Sequence, residues 1–263
     1  MAERFEISGI DGYSWRLQQE IHEISATAKY PLGTKLVEVG SGEIYRYAKT
    51  GEATCLTQRG AWSYDPQICA QAAIATTSIA GENHLHVTIG AADGIAGNGA
   101  IAADYLIGGR VVIWRAALTV LVYTITSNSV VLAGGGTMLV GVNGIFAAAI
   151  TAGTEVVEIM GNPYRDVRTG NSNGNKMFVG QWKAPVVTAS PYGWLLRRGL
   201  TFIDPQATVG TTNHNQVGFR HDGSIDAYAD GSVYTARMQP AGYVASFTVA
   251  GTQAAPFIML QLE

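Results

Sequence analysis

The feature that most constrains this chain is a change of hydrophobic period. From Lys35 onward, apolar and polar residues alternate in short runs, and glycine- or asparagine-rich breaks separate the runs at roughly ten-residue spacing. A period of two sends successive side chains to opposite faces of an extended backbone, which is strand behaviour and not helix behaviour. Residues 35–39 and 43–47 flank Gly40-Ser41-Gly42 and predict a hairpin. Residues 84–89 place Leu85, Val87 and Ile89 on one face and His84, His86 and Thr88 on the other. Runs at 105–107, 111–114, 118–125, 130–132, 138–142 and 155–160 continue the series. Further strands are expected at 177–181, 185–188, 192–196, 232–238, 243–249 and 256–262. Residues 52–76 carry no clear pattern, and 147–152 allow one helical turn at most. The expected class is all-β: β-sandwich or small β-barrel modules with Gly-rich turns.

Residues 1–30 stand apart. Leu17, Ile21 and Ile24 recur at helical spacing, with Gln18, Gln19, Glu20 and Glu23 between them, and Pro31 stops any helix. This favours an N-terminal arm over 1–30, extended with a helical turn. The polar loop 169–175 is the strongest break in the body. It divides a first β domain, 31–168, from a second, 169–263.

Composition bears on partners. Charged residues make up 14% of the 263 residues, against roughly 25% in an ordinary globular chain. A surface this poor in charge suits burial in an assembly, so a homotrimer is expected. Net charge is −3 and no basic run exists, which argues against a nucleic-acid partner. The most apolar stretch, 101–126, is broken by Gly108-Gly109, Arg110 and Arg115, so no membrane span is expected. The first residues lack the basic-then-apolar order of a secretory leader, and synthesis in a host cytoplasm is the expectation. Cys55 and Cys69 lack CxxC spacing and are expected to be partly buried free thiols, with a disulfide left open.

Several short patterns resemble chemistry, and each has a plainer reading. His84 and His86 share a strand face with Glu82, but no second ligand cluster accompanies them. Gly97-Asn98-Gly99-Ala100-Ile101-Ala102 fits a dinucleotide loop without the following helix or acid, and Gly134-Gly135-Gly136-Thr137 lacks the lysine of a phosphate loop. His214, His221, Asp222 and Ser224 crowd together in loop sequence, which does not make a triad. The expectation is no enzyme, no cofactor and no metal. Alternation instead puts Tyr192, Trp194 and Leu196 on one face, with Trp194 as packing or interface anchor; a sugar platform on Trp194 is the competing reading. In the arm, Phe5, Trp15, Leu17, Ile21 and Ile24 are too few for a core and are expected to contact a partner.

The stretch from Tyr30-Pro31-Leu32-Gly33-Thr34 to Glu43-Ile44-Tyr45-Arg46-Tyr47-Ala48-Lys49 resembles the opening of a family of tailed-bacteriophage virion proteins. Asn162-Pro163-Tyr164, Pro185-Val186-Val187-Thr188, Tyr192-Gly193-Trp194-Leu195 and the ending from Gly242-Tyr243 to Pro256-Phe257-Ile258-Met259-Leu260 are similar to it as well. The resemblance spans most of 30–263 in short motifs. It implies a capsid decoration, or cement, protein on the outer capsid surface of the virion, trimeric, bound across major capsid protein subunits and without catalytic residues. One departure is local: Arg197-Arg198 follows the Trp-Leu pair where the family usually carries a Gln-containing strand. The alternative reading is a tail or host-recognition virion protein that binds a receptor or glycan, and the third is a β-sandwich hydrolase.

Overall fold

A computed structural model describes residues 5–7, 13–14, 17–64, 67–115, 119–170, 176–186, 191–206, 209–210, 215–228, 238–246 and 257–263. The protein is all-β, with no helix among the described residues. It separates into two compact units. One is made of Met1–Tyr64 and Tyr164–Glu263, and the other of Asp65–Pro163.

The inserted unit is a closed antiparallel barrel. Its strands are β6 (Gln67–Thr76), β7 (His84–Ile89), β8 (Arg110–Trp114), β9 (Val120–Asn128), β10 (Gly136–Val142) and β11 (Val156–Met160). They close in the order β10-β7-β6-β11-β8-β9. Closure follows from alternation: Leu85, Val87 and Ile89 of β7, Val111 and Ile113 of β8, and Met138, Val140 and Val142 of β10 all fill the interior. Gln71 takes a positive φ of 52° within β6, inside the register shift between the Ala72–Val157 and Cys69–Ile159 pairs with β11. Gly99 sits at φ +78°, and a Cβ there would lie 2.5 Å from the Gly135 nitrogen, so the GxGxxA pattern is a turn where two loops meet backbone to backbone. An ion pair pins the last loop. The Arg115 Nε donates to Glu155 at 2.6 Å, and the Thr151 N–H donates to the other Glu155 oxygen at 2.8 Å.

The other unit carries β1 (Phe5–Ile7), β2 (Tyr13–Ser14), β3 (Lys35–Glu38), β4 (Ile44–Lys49), β5 (Gly60–Ser63), β12 (Val167–Arg168), β13 (Phe178–Trp182), β14 (Tyr192–Phe202), β15 (Gln216–Phe219), β16 (Ile225–Ala227), β17 (Gln239–Ser246) and β18 (Phe257–Gln261). Nine of these strands run in the order β16-β15-β17-β18-β14-β4-β3-β1-β2, while β13 pairs with β14 and β5, and β5 with β12. The expected hairpin is β3–β4, with Leu36 opposite Tyr45. The long strand β14 is the spine. Trp194 and Leu196 enter an aromatic-rich core on one face, and Leu195 enters a smaller core with Trp182 on the other.

Four expectations change. The domains do not divide at residue 169: the breaks fall at Tyr64/Asp65 and Pro163/Tyr164, and one unit is discontinuous. The reason is long-range pairing, since β4 binds β14 with Tyr47 opposite Trp194. Insertion is possible because Gln67 pairs with Met160 in the barrel and Ser63 pairs with Val167 in the host unit, so each unit brings its two chain ends side by side. Second, residues 17–30 are not an arm. They hold no helix, and Leu17, Ile21 and Tyr30 are buried in the aromatic core. Third, residues 105–107 form a turn and not a strand, with Leu106 buried as its anchor and its N–H bound to the Asn128 side chain. Fourth, Val131 makes a single bridge to Ile101 in place of the strand expected over 130–132. The run expected over 232–238 lies outside the described residues up to 237.

Candidate functional site

The aromatic group around Trp194 is built from three chain segments. Trp194 is fully buried, with its ring 5.0 Å from that of Tyr47 and 5.2 Å from that of Tyr30. Tyr192 stacks on Tyr47 at 6.1 Å, and Leu196 is buried in the same core. The polar handles of Trp194, Tyr47 and Tyr30 find partners, as buried aromatics require. Trp194 Nε1 donates to the Gln19 carbonyl at 3.1 Å, and the Tyr47 hydroxyl donates to Gln19 Oε1 at 2.5 Å. Gln19 Nε2 in turn donates to the carbonyls of Tyr192 and Glu23. The Gln18 N–H donates to the Tyr30 hydroxyl at 2.7 Å. Burial pushes the Tyr47 phenol up to about 12, so it stays protonated and able to donate. Gln19 is therefore a latch that holds 17–30 over β4 and β14. Trp194 is a packing anchor whose faces are covered, which leaves no open platform for a sugar ring.

Of the five residues expected to reach a partner, Leu17 and Ile21 lie in this core, and Ile24 is half-buried against the second one. Phe5 belongs to β1, whose backbone pairs with β3 and β2. Trp15 lies outside the described residues.

Beside the second core is a cleft of about 250 Å³, lined by His22, Thr57, Gln58, Gln181, Trp182, Lys183, Thr201 and Phe202. Its floor is the buried amide of Gln181. Gln181 Nε2 donates to the carbonyls of Thr57 and Phe202, and Oε1 accepts from the Thr201 hydroxyl at 2.6 Å. The Trp182 ring lies against Gly193, where a Cβ would approach its Cζ3 to 3.2 Å. Trp182 Nε1 is buried and has no acceptor among the described residues. A buried donor left unmatched costs about 1–3 kcal/mol, so such a group calls for a reason.

Among the described residues the other sequence candidates do not assemble into a reactive centre. His84 and His86 meet edge to face at 5.7 Å, and His84 Nε2 stands 4.0 Å from Glu82. Among the described residues no three His, Cys, Asp or Glu side chains gather as a metal site would need. Asp222 accepts from the Ser224 hydroxyl at 2.6 Å and from Arg59 at 3.1 Å, which ties up a loop. His214 lies outside the described residues. Cys55 and Cys69 are free and buried in separate units, and burial pushes their thiols up to about 11 and about 12. At neutral pH they remain unreactive thiols.

Each unit also carries an apolar outer row. Across β11, β8 and β9, Val156, Trp114 and Val120 lie opposite one another, followed by Glu158, Val112 and Val122. Trp114 is 44% exposed and Val122 59%. Across β17, β18 and β14 the aligned row is Tyr243, Met259 and Leu200, with Tyr243 51% and Leu200 50% exposed.

No family model, curated protein or solved structure matches this chain. Sequence reasoning missed Gln19, Gln181 and Trp182. Gln19 sits among polar residues that read as a solvated face. Gln181 pairs with Gly60 and Trp182 is buried in a core with Ala48 and Cys55, all far away in sequence, so no local signal marks them.

Proposed function

We propose that this chain is a structural protein of a tailed-phage particle that decorates the capsid shell, binding as a homotrimer across major capsid protein subunits. The observation that carries this reading is the pair of apolar outer rows on a chain with few charges. Clustered exposed apolar side chains mark interaction surfaces, and a sheet presents them on a rigid frame. Many shallow contacts repeated on a symmetric shell gain strength through avidity, without one tight site. The motif resemblance to phage virion proteins gives the partner its identity.

The test is occupancy on the native particle and on shells stripped of decoration. Trp114→Ser with Val122→Ser, and Leu200→Ser with Met259→Ser, change only exposed side chains, and a thermal melt of each variant should stay close to the parent's. Under this reading the native particle carries hundreds of copies, and the variants lose shell binding. A handful of copies per particle would make it a tail or host-recognition protein instead. Full shell binding by both variants would remove the apolar rows from the argument.

A further inference from the structure

We infer that the cleft beside Trp182 is a binding site for an acidic monosaccharide unit, a pyranose ring bearing a carboxylate. This inference stands apart from shell decoration and can fail separately from it.

The lining sets the ligand chemistry. Among the described residues the cleft is lined by no carboxylate, while Lys183 provides a cation. A ligand group that only accepts hydrogen bonds and carries negative charge fits this side. His22 Nδ1 lies 3.0 Å from the Lys183 carbonyl. A carbonyl cannot donate, so Nδ1 carries the hydrogen. In the tautomer with the hydrogen on Nδ1, Nε2 is the acceptor, which suits a ligand hydroxyl. Thr57 and Gln58 add side chains that both donate and accept, the usual partners of a polyol. Phe202 contributes an apolar surface for the ring carbons. The Trp182 ring borders the same cleft, so its indole N–H reports on what enters.

Size agrees with a single ring. The cleft, at about 250 Å³, falls below the roughly 300–1,000 Å³ of pockets for drug-sized molecules. Its floor is also pre-formed. Every hydrogen-bonding group of the Gln181 amide is engaged within the protein, so the amide holds the walls and stays in place when a ligand enters.

The measurement is indole N–H NMR on the full chain. The protein has five tryptophans, and Trp182→Phe assigns the signal of Trp182. Glucuronate is titrated beside glucose and acetate. Glucuronate is expected to shift the Trp182 signal saturably, with Kd on the order of 1 mM. Glucose should bind more weakly for want of the carboxylate, and acetate more weakly for want of the ring. Lys183→Gln, a change at a half-buried wall residue, should weaken glucuronate about tenfold and leave the thermal melt unchanged. Equal response to acetate would reduce the site to a simple carboxylate contact and overturn the inference. So would a Trp182 signal indifferent to all three, or a Lys183→Gln variant that binds as well as the parent.

Discussion

The two units solve the same problem with different side chains. The barrel interior is aliphatic: of its described, fully buried large residues only Phe146 is aromatic, and Val, Ile, Leu and Met fill the rest. The discontinuous unit buries Tyr30, Tyr45, Tyr47, Trp62, Phe178, Trp194 and Phe219. Topology explains the contrast. A closed barrel uses all its strand edges, and its small bore is filled by branched aliphatic side chains with no polar handle to satisfy. An open sheet must be covered by something, here the irregular segment 17–30. That segment brings unpaired backbone groups, and Tyr and Trp can pair with them while still burying large area. An aliphatic core belongs to a unit that closes on itself, and an aromatic core with polar tips belongs to a unit that must hold a coil.

The strongest challenge to this contrast is removal of the cover. Deleting residues 1–30 should unfold the discontinuous unit, because it removes Leu17, Ile21 and the Gln19 latch together. The loss should exceed the roughly 2–5 kcal/mol expected for truncating one buried leucine or isoleucine. Calorimetry should then show one surviving transition, matching that of Asp65–Pro163 expressed alone. An unchanged two-unit melt would return 1–30 to the role of an attachment arm.

Next in size is Trp194→Ala, expected to cost about 3–5 kcal/mol in the same unit. The Trp194→Phe variant separates packing from the handle. It keeps most of the buried area and leaves the Gln19 carbonyl without its donor, at about 1–3 kcal/mol. Equal losses in the two variants would mean that the hydrogen bond, and not the volume, sets the cost.

A smaller effect probes the barrel. Ile113→Val removes one methylene from the packed interior and should cost about 0.5–1.5 kcal/mol. Only the barrel transition should move. A shift in both transitions would show that the two cores melt as one.

The smallest effect is a pH dependence. Burial opposes ionisation of Asp222, but the Ser224 hydroxyl and N–H, with Arg59 and Arg220, outweigh it and hold the carboxyl below its ordinary value. A lowered acid contributes stability above its unfolded pKa and loses it as pH falls through the folded value. Asp222→Asn should therefore be less stable than the parent at neutral pH, with the gap closing on the acid side. Urea melts across that range should show the two curves converging. Parallel curves would mean that the Arg59 and Ser224 contacts do not depend on charge.

Legibility divided between local pattern and long-range contact, not between the units. The barrel strands β7, β8, β10 and β11 stand close to where alternation put them, because a strand with one buried face writes its own period into the sequence. The sequence itself determined strand content, the β3–β4 hairpin and the shared face of Tyr192, Trp194 and Leu196, since these depend on neighbours a few residues apart. Tertiary structure alone decided that 17–30 is a cover, that one unit is split around the other, and that Trp182 borders a cleft. Each of these rests on contacts between residues far apart in the chain: Gln19 with Trp194, Tyr47 with Trp194, Gln181 with Thr57. Local periodicity records which face of a segment is buried but not what buries it. The partner is chosen by the loop-closure and packing energy of the whole fold.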